Sequence, residues 1–279
     1  MAAIGGKNSK PVGAGSPSTD WEEVGADITQ ECVFMDIMGL EGSGKTRLAL
    51  SAPGPVALID GAEKTGGVMN RVVAETGKVI RRHKYIYTLT DKKEEDRERA
   101  EAVLVELISK YRDAMNGWAR SVVFDTGNRL WELVRLSHHG VLRPKGNRMD
   151  ALYGPPNAEI RGLLADEFRA QNRTNVITIH QMGDKYIDKM VNGTMTSMKT
   201  GKYERKGGFK EIPFIADIVV ECVRTPTGGF AAIVRKGWVN PGIEGIEADE
   251  EMLQALGYSG LNFSSLLAWI TDMPEDKWS

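Results

Sequence analysis

Short, nearly continuous apolar blocks recur along the chain from Cys32 onward. Val33-Phe34-Met35-Asp36-Ile37-Met38, Pro55-Val56-Ala57-Leu58-Ile59-Asp60, Ser121-Val122-Val123-Phe124-Asp125 and Asn175-Val176-Ile177-Thr178-Ile179-His180 have the length of strands rather than helices. Blocks without polar alternation mark strands covered on both faces. Tyr85-Ile86-Tyr87-Thr88 predicts a shorter strand. Between these blocks the period changes. Arg47-Leu48-Ala49-Leu50 starts a helix, residues 91–116 carry Val103, Leu104, Leu107, Ile108 and Tyr111 at helical spacing, and residues 158–170 form a second amphipathic stretch. Strands alternating with helices predict an α/β fold with a mostly parallel central sheet flanked by helices. Residues 216–223 and 229–235, joined by a Thr-Pro-Thr-Gly-Gly turn, predict a C-terminal antiparallel extension.

Residues 1–28, rich in Gly, Ala, Ser and Pro without apolar period, predict a flexible arm. The core is expected over 29–240 and a helical extension packed on it over 241–279. The composition, 41% hydrophobic and 27% charged, is that of an ordinary globular protein. A formal net charge of −2 gives no global case for nucleic acid, which leaves local patches to make one. The two cysteines, Cys32 and Cys222, fall inside apolar blocks with no metal-type spacing and predict buried thiols in a reducing compartment. No apolar run approaches the roughly 20 residues of a membrane span.

The chemistry starts at Gly39-Leu40-Glu41-Gly42-Ser43-Gly44-Lys45-Thr46, which follows an apolar block and precedes a helical one. A G-x-x-x-x-G-K-[ST] pattern in that context predicts a P-loop. Its glycines let backbone N–H groups close on phosphate oxygens, its lysine reaches the β- and γ-phosphates and its Thr hydroxyl meets Mg²⁺. Gly39, Glu41, Gly42, Ser43, Gly44, Lys45, Thr46 and the following Arg47 are the expected ATP-binding residues, and Thr46 with Asp125 the Mg²⁺ set, Asp125 acting through water at the end of its apolar block. Hydrolysis needs a group that orients water, for which Glu63 and Asp60 are the candidates. His180 and Gln181, ending a later block, are placed to sense the γ-phosphate.

The order of these parts, with Tyr153-Gly154 leading a helix and a late basic hairpin, resembles the RecA-type ATPase core. More narrowly it resembles the compact RecA-like ATPases of bacteriophages that accompany single-strand annealing and recombination, over roughly residues 32–270. The resemblance implies that Glu63 activates water, although Asp60-Gly61-Ala62-Glu63 is one residue wider than the common spacing and keeps Asp60 as an alternative. It implies that Gln181 or His180 couples the γ-phosphate to DNA, and that Arg235 or Lys236 reaches a neighbour's site in a ring or filament. Partners implied are single-stranded DNA, further copies of the chain, and a single-strand-binding or other recombination protein. A cytoplasmic location is expected, in the host if the chain is phage-encoded.

Two polar stretches occupy the places of the DNA-binding loops in such proteins. Residues 137–153 contain Arg143, Lys145 and Arg148, and residues 183–211 contain Lys185, Lys199, Lys202, Arg205, Lys206 and Lys210 with Tyr186, Tyr203 and Phe209 among them. Cations follow a phosphate backbone and aromatic rings stack on unpaired bases. The second stretch is expected to be a loop without secondary structure. The alternatives are a hexameric helicase or motor ATPase on the same core, and a nucleotide-switched protein-binding scaffold.

Overall fold

The computed structural model describes residues 32–62, 65–144, 149–191, 194–238 and 240–279; the arm expected over 1–28 lies outside them. Among the described residues nine strands form one sheet. They are β1 (Phe34–Gly39), β2 (Val56–Asp60), β3 (Ile80–Lys84), β4 (Ser121–Asp125), β5 (Asn175–Val191), β6 (Thr194–Arg205), β7 (Ile218–Arg224), β8 (Phe230–Gly237) and β9 (Glu247–Asp249). Their spatial order is β3-β2-β4-β5-β1-β7-β8-β9, with β6 paired to β5 off this path. From β3 to β7 every neighbour is parallel, whereas β8 and β9 are antiparallel. The helices are α1 (Lys45–Leu50), α2 (Gly66–Thr76), α3 (Lys93–Asp113), α4 (Gly127–His139), α5 (Met149–Arg161), α6 (Glu167–Gln171), α7 (Ile212–Ile215), α8 (Glu250–Ala255) and α9 (Phe263–Thr271).

Successive strand residues point to opposite faces, which splits each apolar block between two cores. Phe34, Val122 and Phe124 pack with Leu107 and Tyr111 of α3, Leu130 and Trp131 of α4 and Ile160 of α5. Met35, Ile37, Leu58 and Val123 pack on the other face with Leu48 of α1, Val72 of α2 and Leu266, Leu267 and Ile270 of α9. The C-terminal helices are thus part of a core face, and Phe263 N donates to Ser51 Oγ at 2.8 Å just after α1. No described helix is long and apolar enough to cross a membrane.

Two expected elements lie elsewhere. The third strand is Ile80–Lys84, not residues 85–88. It is an edge strand paired only with β2, so Arg81 and Lys84 keep their charges toward solvent, while Arg82 turns in to ion-pair with the buried Asp60. The stretch 183–211 is not a structureless loop. β5 continues past the sheet to Val191 and pairs with β6 as an antiparallel hairpin from Met182↔Arg205 to Val191↔Thr194. Likewise α4 and α5 occupy much of the first polar stretch.

Candidate functional site

The glycine-rich turn leaves β1 at the carboxyl ends of the parallel strands, where open α/β sheets bind ligands. Gly39 has φ +156°, and a Cβ there would collide with the carbonyl oxygen of Cys222 on the adjacent β7. Gly44 has φ +89°, and a Cβ would stand 2.9 Å from the Phe230 ring. The turn can therefore lie flat against β7 and β8 only with glycine at both places.

Lys45 is buried and donates through Nζ to Leu40 O at 2.5 Å, so its ammonium is folded back on the turn. Burial lowers its pKa, partly offset by the charges of Asp125 and Glu41. Thr46 Oγ1 donates to Asp125 Oδ2 at 2.8 Å. β5 separates β1 from β4 in the sheet, yet the first turn of α1 leans over it and brings these side chains together. Burial pushes the Asp125 carboxyl up to about 6, against the Thr46 hydrogen bond and with the help of nearby Asp60. A buried carboxylate beside a hydroxyl is a donor set suited to a hard divalent cation.

Asp60 is fully engaged. Its Oδ1 accepts from Ala62 N at 2.9 Å, and its Oδ2 accepts from Thr65 Oγ1 and from Arg82 Nε, the latter at 2.6 Å. A carboxylate held this way braces the turn after β2 rather than reaching a water. Glu63 lies outside the described residues.

The His180-Gln181 pair divides. Gln181 is opposite Gly39 in the β1–β5 register and lines a cavity of about 390 Å³ together with Glu41, Lys45, Thr46, Asp125 and Arg129. His180 is wholly buried, with Nδ1 2.6 Å from Asp36 Oδ1, and Thr178 Oγ1 donates to the same oxygen at 2.8 Å. It faces the sheet interior, and Gln181 is the member of the pair presented to the cavity.

Neither Arg235 nor Lys236 is among the residues lining this cavity. β8 runs antiparallel, so Gly237 pairs with Ile218 at the start of β7, while Gly39 pairs with Cys222 near its end. Arg235 ion-pairs with Glu221, Nη2 to Oε2 at 2.5 Å. Lys236 Nζ donates to Pro213 O at 3.3 Å, Phe214 O at 3.2 Å and Ala216 O. That ammonium is committed to the carbonyl end of α7.

Of the cations expected to meet DNA, Lys185, Lys199, Lys202, Lys206, Lys210 and Arg143 are exposed, and Lys145 and Arg148 lie outside the described residues. Lys199 pairs with Asp184 at 2.6 Å across the hairpin. Arg205 is the exception. Its side chain is 12% exposed, with Nη1 3.7 Å from Asp36 Oδ2 and Nη2 donating to Phe209 O at 2.5 Å. Burial lowers its pKa, and it anchors the hairpin inward instead of offering charge to a strand.

Three residues of this region escape sequence reasoning. Asn128 accepts from Gln181 N at 3.2 Å and donates to Lys206 O, joining the end of β5 to the chain leaving β6. Arg224 Nε donates to Gly42 O at 3.0 Å, and its guanidinium is 5.1 Å from the Phe230 ring centroid. Phe230, 36% exposed, closes a second cavity of about 480 Å³ with residues 42–47, Val68 and Arg71. Only the Asp-Thr-Gly-Asn run after β4 offered a signal, as polar residues following a buried strand. No protein-family profile matches the chain, and no curated protein matches it.

Proposed function

We propose that the chain is a Mg²⁺-dependent P-loop ATPase of the RecA-like kind that binds single-stranded DNA, in recombination or strand annealing of phage type. The observation that carries this reading is the Thr46–Asp125 hydrogen bond of 2.8 Å beside the tucked Lys45 at the mouth of the glycine-rich turn. A bound Mg²⁺ supplies electrostatic stabilisation to the phosphates, held by Thr46 and, through water, Asp125. Lys45 swings from Leu40 O to the β- and γ-phosphates, while Gln181 faces the γ-phosphate side. The cavity closed by Phe230 lies on the other side of the turn and takes the base, stacked on the ring, with Arg71 also in its lining.

The hairpin supports the DNA part of the reading. Directly paired residues share a face, so Tyr186 stands with Lys199, and Met190 with Met195. Exposed aromatic and apolar side chains interleaved with lysines suit a strand tracked by charge and stacking. The Gln181–Asn128–Lys206 bonds are the path from nucleotide to hairpin. Steady-state ATPase assays of wild type and Lys45→Ala, with and without single-stranded DNA, test the reading. DNA-stimulated turnover lost in the variant is expected; turnover indifferent to DNA would reject the coupling in favour of a nucleotide-switched scaffold.

A further inference from the structure

A third cavity, of about 480 Å³, opens at the root of the hairpin on the face away from the nucleotide site. Trp131 and Arg135 of α4, Tyr153 and Asn157 of α5, and Phe209 and Lys210 just after β6 line it. The volume falls within the range of small-molecule sites, about 300–1,000 Å³, and so fits one nucleotide and not a run of them.

Its lining has the chemistry of a nucleotide site. Trp131 and Phe209, both largely buried, pack with ring centroids 5.6 Å apart and give the cavity an apolar floor. The Arg135 guanidinium lies 5.4 Å from the Trp131 centroid and belongs to the cavity lining, and its Nε is buried with no hydrogen-bond partner. The acid at the rim, Glu211, is neutralised by Arg161, which leaves Arg135 and Lys210 as net positive charge. Asn157 offers an amide that both donates and accepts, as a base edge requires. The cavity wall also includes Gly207 and Gly208, the latter packed against the His180 ring, next to the Lys206 carbonyl that Asn128 holds.

We propose that this cavity receives one base extruded from a bound single strand, with its phosphate between Arg135 and Lys210. The proposal rests on the reading of the hairpin as a single-strand binder. It makes the strand bind at two kinds of place: a hairpin that follows the backbone and a pocket that takes one base. Free nucleoside monophosphate has the same chemistry, and a strand is favoured because the cavity adjoins the exposed hairpin lysines.

Fluorescence anisotropy with labelled 15-nucleotide oligothymidylate and an abasic deoxyribose-phosphate oligomer of equal length tests the proposal. Wild type is expected to prefer the base-bearing strand by about tenfold, the effect of one well-stacked base. Asn157→Ala and Arg135→Gln, each checked for an unchanged unfolding midpoint, are expected to cut that preference below about threefold. Asn157→Ala leaves abasic affinity unchanged. A preference that survives both variants overturns the pocket while leaving the hairpin reading intact, and no preference in wild type overturns both the pocket and the hairpin's stacking. Failure to bind either oligomer overturns both. Thymidine monophosphate competing as strongly as the oligomer overturns the strand as occupant.

Discussion

Arg235 and Lys236 are adjacent, but their surroundings assign them different work, and a pair of substitutions separates them. Lys236→Met keeps the apolar stem and removes an ammonium that reaches three carbonyl oxygens around α7. Helix-end carbonyls have no intrahelical partner, and hydrogen bonds to a charged group contribute about 1.5–3 kcal/mol each in mutational series. Lys236 is half-buried and two of its contacts are longer than 3.1 Å, so water replaces part of what is lost and about 2–3 kcal/mol in total is expected. For a chain of this size that lowers the thermal midpoint by about 3–6 °C. Arg235→Ala breaks an ion pair whose arginine is 43% exposed, and costs about 0–1 kcal/mol. Thermal unfolding and ATPase turnover are read on both variants. Lys236→Met is expected to be destabilised, and Arg235→Ala to keep its midpoint while losing turnover if it serves a neighbouring subunit. A Lys236→Met midpoint equal to wild type would refute the reasoning, because the carbonyl contacts would then contribute nothing.

Three further outcomes are expected. In chelator-treated protein, the stabilising contribution of the Asp125 carboxyl, whose pKa is raised by burial to about 6, is complete below its unfolded value and lost as pH rises through 6. Asp125→Asn should therefore exceed wild type by up to about 3 kcal/mol at pH 8 and by little at pH 4 in urea unfolding; parallel profiles would count against the assignment. Phe230→Ala should weaken ATP about tenfold without changing tripolyphosphate affinity, measured by displacement of a fluorescent nucleotide, and an equal loss of both would remove the ring as a base platform. Asn128→Ala should reduce DNA stimulation of turnover by about fivefold or more, the scale of a typical coupling energy, and unchanged stimulation would break the proposed path.

The glycine-rich turn was legible because what it needs is local: glycine freedom, a lysine and a hydroxyl at fixed spacing need no knowledge of distant chain. Asp125 was legible as the acid ending a buried block, and the parallel sheet followed from blocks without alternation. What escaped depends on partners far along the chain. Arg205 reads as one more loop cation until Asp36, on β1, draws it inward, and Lys236 reads as a free finger until the carbonyls of residues 213–216 take its ammonium. β3 was missed because an edge strand may be basic, and the hairpin because neither of its faces is buried. Met190, Met195, Tyr186 and Tyr203 are all at least half exposed, so no alternation records their pairing.

The root of the hairpin has a consequence for how this chain can be altered. Lys206 N donates to Gln181 O at 2.7 Å, and Asn128 spans the same two residues, so everything between them is cinched at its neck. The entropy of closing that segment changes by only about 0.6 kcal/mol for each doubling of its length. The hairpin is therefore a graftable module. Its tip can be lengthened, shortened or exchanged, while the sheet beneath keeps its register and the neck stays tied to Gln181.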